Sequence, residues 1–352
     1  MAIDQMAVST INPATTLMHR EAGEGGDAVA RFLEANASTL TRIAERLRAD
    51  PPKGATTCAR GSSDHAATYG KYLIETLIGV PTSTAALSVA SIYDAPVMAA
   101  DSLCIAISQS GRSPDLLTSV KAHKDSGAFV VALVNDFTSP LADLADEALP
   151  LCAGPELSVA ATKSYIVSLA GLAALVAEWA GDDGLKAAVY ALPDQLRAAF
   201  DRDWSHALPT LEDATNLFVI GRGYGFGIAQ EAALKLKETC ALHAEAFSSA
   251  EVRHGPMAIV REGFPILAFA TSDTAGDGVR EVAAEFLSRG AKVELADAGG
   301  GVTSTLPAGR FEPALEPILM IQSFYRFANA LSLRRGLNPD APPHLNKVTR
   351  TV

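Results

Sequence analysis

Short apolar runs alternate with longer segments of helical period along most of this chain. Residues 55–59, 103–107 and 129–134 read as strands by length and by their content of Val, Ile, Ala and Leu. Helical patterns of roughly 10–15 residues separate them, one of them starting at about Pro114. Strands alternating with helices predict parallel sheets covered on both faces, with ligands bound beyond the carboxyl ends of the strands.

The same unit occurs twice. Thr57-Cys58-Ala59-Arg60-Gly61-Ser62-Ser63 matches Val219-Ile220-Gly221-Arg222-Gly223-Tyr224-Gly225 at an offset of 162 residues. Residues 103–110 fall on 265–272 at that offset, and 126–131 fall on 289–294 at 163. Three landmarks at nearly one spacing indicate internal duplication rather than generic α/β similarity. The boundary is expected near 192–209, where two prolines and a charged stretch separate the copies. The expected fold class is α/β, with two tandem doubly wound parallel-sheet domains. The predicted division is 1–34 as an N-terminal segment, 35–195 and 205–340 as the two domains, and 341–352 as a tail.

Composition narrows the function. The 352 residues, 48% hydrophobic and 20% charged, suffice for two cores. A net charge of −11 without a Lys/Arg stripe argues against nucleic acid as a partner. The most apolar stretch, 166–177, is too short to span a bilayer, and the N-terminus has no basic start followed by an apolar run. No membrane association and a cytoplasmic location are therefore expected. Cys58, Cys104, Cys152 and Cys240 lie far apart with no CxxC pair and no His at zinc spacing. They are read as buried thiols, and no metal site is expected.

Candidate chemistry lies where the copies differ. The second strand of copy one ends in Ser108-Gln109-Ser110-Gly111-Arg112-Ser113 before Pro114; copy two has Ala270-Thr271-Ser272-Asp273. Hydroxyls, an amide, a glycine and a helix N-terminus together suit a phosphate. The alternative is that Ser113 only caps the helix. Ser62 and Ser63, after the first strand, would lie beside this turn. In copy two, Gly221-Arg222-Gly223-Tyr224-Gly225-Phe226 fails the dinucleotide fingerprint because Phe226 stands where a glycine is needed. Lys235 shares a helix face with Glu231 and Glu238, a spacing that also describes a solvated ion-pair face. His254, before Gly255-Pro256, lies at a turn and titrates near neutrality when unperturbed, which makes it a candidate acid/base group. Lys347 lies in a Pro-rich tail of the kind that is usually frayed.

Nearly the whole chain, from about Leu17, resembles the isomerase half of glutamine–fructose-6-phosphate amidotransferase (glucosamine-6-phosphate synthase), a tandem pair of sugar-isomerase (SIS) domains with a flavodoxin-like fold. The resemblance rests on Gly61-Ser62-Ser63, Ser108-Gln109-Ser110-Gly111, Val159-Ala160-Ala161-Thr162-Lys163, Ala233 through Glu238, His243-Ala244-Glu245, Glu251 through Pro256 and the Lys347 tail. It implies that Ser108, Gln109, Ser110 and Ser113 hold the sugar phosphate with Ser63 and Ser62 close by. It implies that Val159 and Ala161 lie by the sugar and that Glu238, beside Lys235, shuttles a proton between C1 and C2. It further implies that His254 assists ring opening from a neighbouring subunit, so a homodimer is expected. Lys347 would open the ring and form a Schiff base, and no cofactor would be required.

Two departures stand out. Ala161 replaces the family's serine, and Arg112 replaces an acidic residue. The amidotransferase begins with a glutaminase domain and its nucleophilic cysteine, whereas position 2 here is Ala2 and the match starts near the N-terminus. The expectation is a stand-alone enzyme resembling SIS-type deaminases, converting glucosamine 6-phosphate and water to fructose 6-phosphate and ammonia. Alternatives are a galactosamine-6-phosphate deaminase/isomerase, a fructosamine-6-phosphate deglycase, an ammonia-dependent synthase, and a sugar-phosphate sensor without catalysis.

Overall fold

The computed structural model describes residues 11–301 and 303–347. Residues 1–10 of the expected N-terminal segment and 348–352 of the expected tail lie outside the described residues. The chain forms two compact units. One comprises Asp27–Pro155 with Ser164–Pro193; the other comprises the described residues up to Gly26, Glu156–Lys163 and Asp194–Lys347.

The unit built on Asp27–Pro155 carries a five-stranded sheet. Its strands are β1 (Gly54–Cys58), β2 (Thr82–Thr84), β3 (Ser102–Ser108), β4 (Phe129–Val134) and β5 (Glu147–Pro150), ordered β2-β1-β3-β4-β5. All pairs are parallel, with Ala55 opposite Leu103 and Leu103 opposite Phe129. β4 is buried along its whole length, which explains its continuous apolar run in place of an alternating one. One face carries Cys58, Cys104, Leu116, Val120, Val130 and Val134 in a single apolar cluster. Folding draws His123 to the two thiols: one ligand atom from each of Cys58, Cys104 and His123 lies within 4.8 Å of the others. Sequence spacing could not show this, because the three residues come from two strands and a helix.

A helix of this unit, Lys163–Ala180, is long and apolar enough to cross a membrane by length and composition, yet 89% of its apolar window is buried within the protein. It is a core helix. Gly70 and Gly171 permit close approach around it: a Cβ at Gly171 would stand 2.9 Å from the Phe32 ring, and one at Gly70 would stand 3.1 Å from Leu172.

The second unit repeats the plan with four parallel strands, β6 (Asn216–Gly221), β7 (His243–Ser248), β8 (Pro265–Ala270) and β9 (Lys292–Asp297), ordered β7-β6-β8-β9. Its order matches the first four positions of the other sheet, so the duplication read from sequence is a duplication of topology. Its core gathers Ile220, Ile266, Ala268, Val282, Phe286 and Leu295. The stretch 192–209, read as a boundary, contains no extended linker at its start. The division falls at Pro193, inside the helix Asp183–Phe200, whose interior carries that proline.

Candidate functional site

The helices used below are α1 (Leu17–Gly23), α2 (Ser62–Leu77), α3 (Pro114–Asp125), α4 (Phe226–Cys240), α5 (Thr274–Ser288) and α6 (Glu316–Arg334). In the first unit, β1 and β3 are parallel neighbours with Cys58 opposite Ala106, so their carboxyl ends share one edge of the sheet. From that edge β1 leads into α2, with Ser62 and Ser63 in its first turn, and β3 leads through Gln109 and Ser110 into α3. The fold thus brings together the serines that the sequence singled out.

Gly111 is required at this turn. Its φ is +63°, and a Cβ there would stand 2.7 Å from Ser139 Cβ. Its N–H donates to the Ser108 hydroxyl at 2.9 Å, which fixes the buried Ser108 to the turn. Ser113 occupies the N-cap position with Pro114 next, but its side chain makes no capping hydrogen bond. The side chains of Ser63, Gln109, Ser110 and Ser113 are half-buried and find no hydrogen-bond partner among the described residues. The capping reading of Ser113 therefore fails, and its hydroxyl is free for a ligand.

Two charges frame this loop. Asp115 is buried in the first turn of α3, where it accepts from its neighbour's N–H (Leu116, 2.8 Å) and from Arg60 Nε and Nη2 at 3.0 and 2.8 Å. Arg60 thereby offsets a carboxylate that would otherwise repel an anion at this helix end. Arg112 turns to the surface and pairs with Asp136 at 2.8 Å. Hydrogen bonds from Thr138, then from Arg112, hold the Asp136 carboxyl below its ordinary range. Arg112 is accounted for by this ion pair.

The second unit holds the acid/base candidates. On α4, Lys235 is buried between Glu238, whose Oε2 is 2.5 Å from Nζ, and Glu231, whose Oε1 is 3.4 Å away. Glu231 is itself fully buried and accepts from the Tyr325 hydroxyl of α6 at 3.1 Å. Burial works against the Lys235 charge, but the two carboxylates outweigh it and its pKa lies above the ordinary value. This is no solvated ion-pair face. The helical period shows which residues share a face, and only the packing of α6 decides that this face is inside.

Glu238 ends the network with its side chain 23% exposed. His254 lies exposed on a 3₁₀ turn (Glu251–His254), and its imidazole has no hydrogen-bond or ion-pair partner among the described residues. Among the described residues, no hydrogen bond or ion pair joins His254 or Lys347 to Glu238.

The tail is not frayed up to Lys347. Asp340 accepts from the Leu17 and Met18 N–H groups at 2.8 Å each, at the start of α1, and its carbonyl accepts from Val159 N–H at 3.2 Å. Lys347 Nζ lies 3.1 Å from Glu156 Oε2 and donates to the Ser158 carbonyl at 2.8 Å. Glu156 is buried and also accepts from Thr162 N–H at 2.9 Å. Glu21 accepts from the Leu157 and Ser158 N–H groups at 2.5 and 3.1 Å. These anchors hold the half-buried Val159 and Ala161 in a defined loop. The hydroxyls of Ser158 and Thr162 flanking that loop are buried without partners. Sequence reading placed Glu231 on one face with Lys235 but missed Glu156, Glu21, Tyr325 and Asp115, whose side-chain partners include residues at long sequence separations.

The SIS domain model matches residues 53–178 and 210–296, which are the two duplicated regions. Glutamine–fructose-6-phosphate aminotransferase of Methanothermobacter thermautotrophicus is 34% identical over 298 residues, covering 82% of this chain and 50% of that protein. The Halobacterium salinarum protein of the same name is 34% identical over 342 residues, covering 92% of this chain and 54% of its own length. The chain thus spans about half the length of the curated relatives it matches, and the match is to their isomerase half. Among solved structures, a protein of Silicibacter pomeroyi DSS-3 assigned to the phosphosugar isomerases superposes with a TM-score of 0.88 at 43% identity, covering 92% of this chain and all of that one. With sheet order, duplication and sequence in agreement, the chain belongs to the SIS domain family, as a tandem pair of phosphosugar-isomerase-type domains related to the isomerase half of the glutamine–fructose-6-phosphate aminotransferases.

Proposed function

We propose that this chain is an amino-sugar-phosphate deaminase/isomerase that converts glucosamine 6-phosphate and water to fructose 6-phosphate and ammonia. The observation that carries the reading is Glu238, a partly exposed carboxylate fixed by a buried lysine that is itself held by Glu231. A carboxylate so fixed can take a proton from one carbon and return it to the next without changing rotamer.

In this reading Ser108, Gln109, Ser110 and Ser113 hold the phosphate, with Ser62 and Ser63 at the adjoining helix end. After ring opening, Glu238 removes the C2 proton of the open-chain aldehyde, giving an enolamine, and returns it to C1. The product is an imine at C2 of the ketose skeleton. Attack by the Lys347 amine at C2 expels ammonia and leaves a ketimine, which water hydrolyses to the ketose and the free lysine. His254, without a side-chain partner among the described residues, assists ring opening in a homodimer. A cytoplasmic setting accords with a sugar phosphate as substrate.

The test is release of ammonia and fructose 6-phosphate from glucosamine 6-phosphate by the purified protein and by Glu238→Gln. Release of both products by the wild type, with turnover at least ~100-fold lower in the variant but sugar-phosphate binding retained, supports the reading. No release with glucosamine 6-phosphate overturns it; galactosamine 6-phosphate and fructosamine 6-phosphates are then the substrates to assay. Unchanged ligand binding in both proteins, with no turnover in either, would mark a sensor.

A further inference from the structure

A cavity of about 250 Å³ in the second unit is lined by Arg202, Arg326, His19, Asp203, Trp204 and Ser205, none of them in the candidate catalytic set. Arg202 is half-buried, and among the described residues no carboxylate pairs with it, although the chain has 40 acidic residues against 29 Lys and Arg. Its Nη1 is shut off from water and meets no acceptor. The same holds for His19 Nδ1 on the facing helix α1. Burial depresses the Arg202 pKa with no compensating charge; for His19, burial and then Arg326 do the same. A desolvated guanidinium nitrogen and an imidazole nitrogen, both without hydrogen-bond partners, are costly for a fold to keep unless something supplies the partners.

The surroundings hold the guanidinium in place. Gly309 lies directly against it: a Cβ there would stand 2.7 Å from Arg202 Cζ and closer still to Nη2. The His19 ring stacks edge-on against Phe200 at 5.0 Å, which fixes its orientation. Arg326 spends Nη1 on the carbonyls of Phe200 and Asp201, so its charge is oriented without being neutralised. The one acidic residue in the wall, Asp203, is turned to the N–H and hydroxyl of Ser205 at 2.9 and 3.0 Å.

We infer that this cavity is a second anion site, taking a compact phosphate or phosphate monoester between Arg202, Arg326 and His19. Two guanidiniums and an imidazole in one cavity wall offer more positive and polar groups than a single carboxylate would use, a set that suits a phosphate. The site stands independently of the proposed reaction.

Trp204 in the cavity wall supplies the probe, since the only other tryptophan is Trp179. In Trp179→Phe protein, titration with inorganic phosphate at constant ionic strength should change Trp204 fluorescence saturably. Adding Arg202→Gln should weaken the response at least ~10-fold. Gly309→Ala, which keeps the arginine but displaces its guanidinium, should do the same, with far-UV circular dichroism confirming that both variants fold. Ser110→Ala with Ser113→Ala, which removes the candidate sugar-phosphate loop, should leave the response intact. A response unchanged by Arg202→Gln, or none up to tens of millimolar phosphate, overturns the inference. An equal response to acetate overturns the assignment to phosphate.

Discussion

Lys235 and Glu231 are held in a state that neither tolerates alone. Replacing Lys235 with Met removes the cation paired with the fully buried Glu231 carboxylate, away from water. Urea denaturation should show a loss of about 3–5 kcal/mol. Glu21 gives a second test. Burial, only partly offset by the Leu157 and Ser158 N–H groups, raises its carboxyl above the ordinary value of 4.5. The folded state therefore binds this proton more tightly than the unfolded state. Its contribution to stability is greatest below the unfolded pKa and is lost as pH rises through 4.5 to the raised folded value. Relative to Glu21→Gln, the wild type should lose stability as pH rises through that window. A parallel pH dependence of the two proteins would refute the assignment. Residues of this kind were the least legible from sequence. Lys235 and Glu238 could be placed on one face, but the depth of that face depends on α6, about ninety residues on. Glu21 shows no spacing signal, because its partners lie far along the chain, and neither does the pairing of Glu156 with Lys347.

At the level of elements, strand ends and turns carry the site. The strand at 129–134 was legible to the residue because a buried parallel strand is a bare apolar run, while β3 extends one residue past each expected end. Turn chemistry was legible where glycine is obligatory. At Gly111 the left-handed φ and the nearby Ser139 leave no room for a side chain. Gly111→Ala should cost about 1–3 kcal/mol and misplace Ser108 and Ser110, raising the KM for sugar phosphate more than it lowers kcat. A variant of wild-type KM would show that this turn does not hold the phosphate. The tail was illegible for the opposite reason. A Pro-rich C-terminus reads as frayed, yet Asp340 ties it to the start of α1 through two backbone N–H groups, and helix ends leave such donors open to any nearby carboxylate.

Across the whole chain, duplication followed by divergence leaves the two equivalent loops using their hydroxyls differently. The equivalent loop after β8 keeps a similar hydroxyl count but uses it internally. Thr271 donates to Asp273 at 2.5 Å, Asp273 caps α5 by accepting from Gly276 N–H at 3.2 Å, and both the N–H and the hydroxyl of Ser272 donate to Glu316 at 2.7 Å. A phosphate arriving there would meet two carboxylates and no free donor among these groups. In the first copy the Ser110 and Ser113 hydroxyls have no partner among the described residues, and Arg60 compensates the nearby carboxylate of Asp115. Sequence comparison of the copies located the difference but not its cause, since Ser272 and Ser110 are the same residue type at matched positions. The two serines should therefore respond oppositely to alanine substitution. Ser113→Ala and Ser110→Ala should weaken glucosamine 6-phosphate binding by about 1 kcal/mol each, several-fold in KM, with little change in thermal stability. Ser272→Ala should leave KM unchanged but lower stability by about 1–2 kcal/mol, because Glu316, fully buried, loses an acceptor-satisfying hydroxyl. Steady-state kinetics and thermal melts of the three variants decide the matter. A raised KM in Ser272→Ala would mean that the second copy also takes part in holding the sugar phosphate.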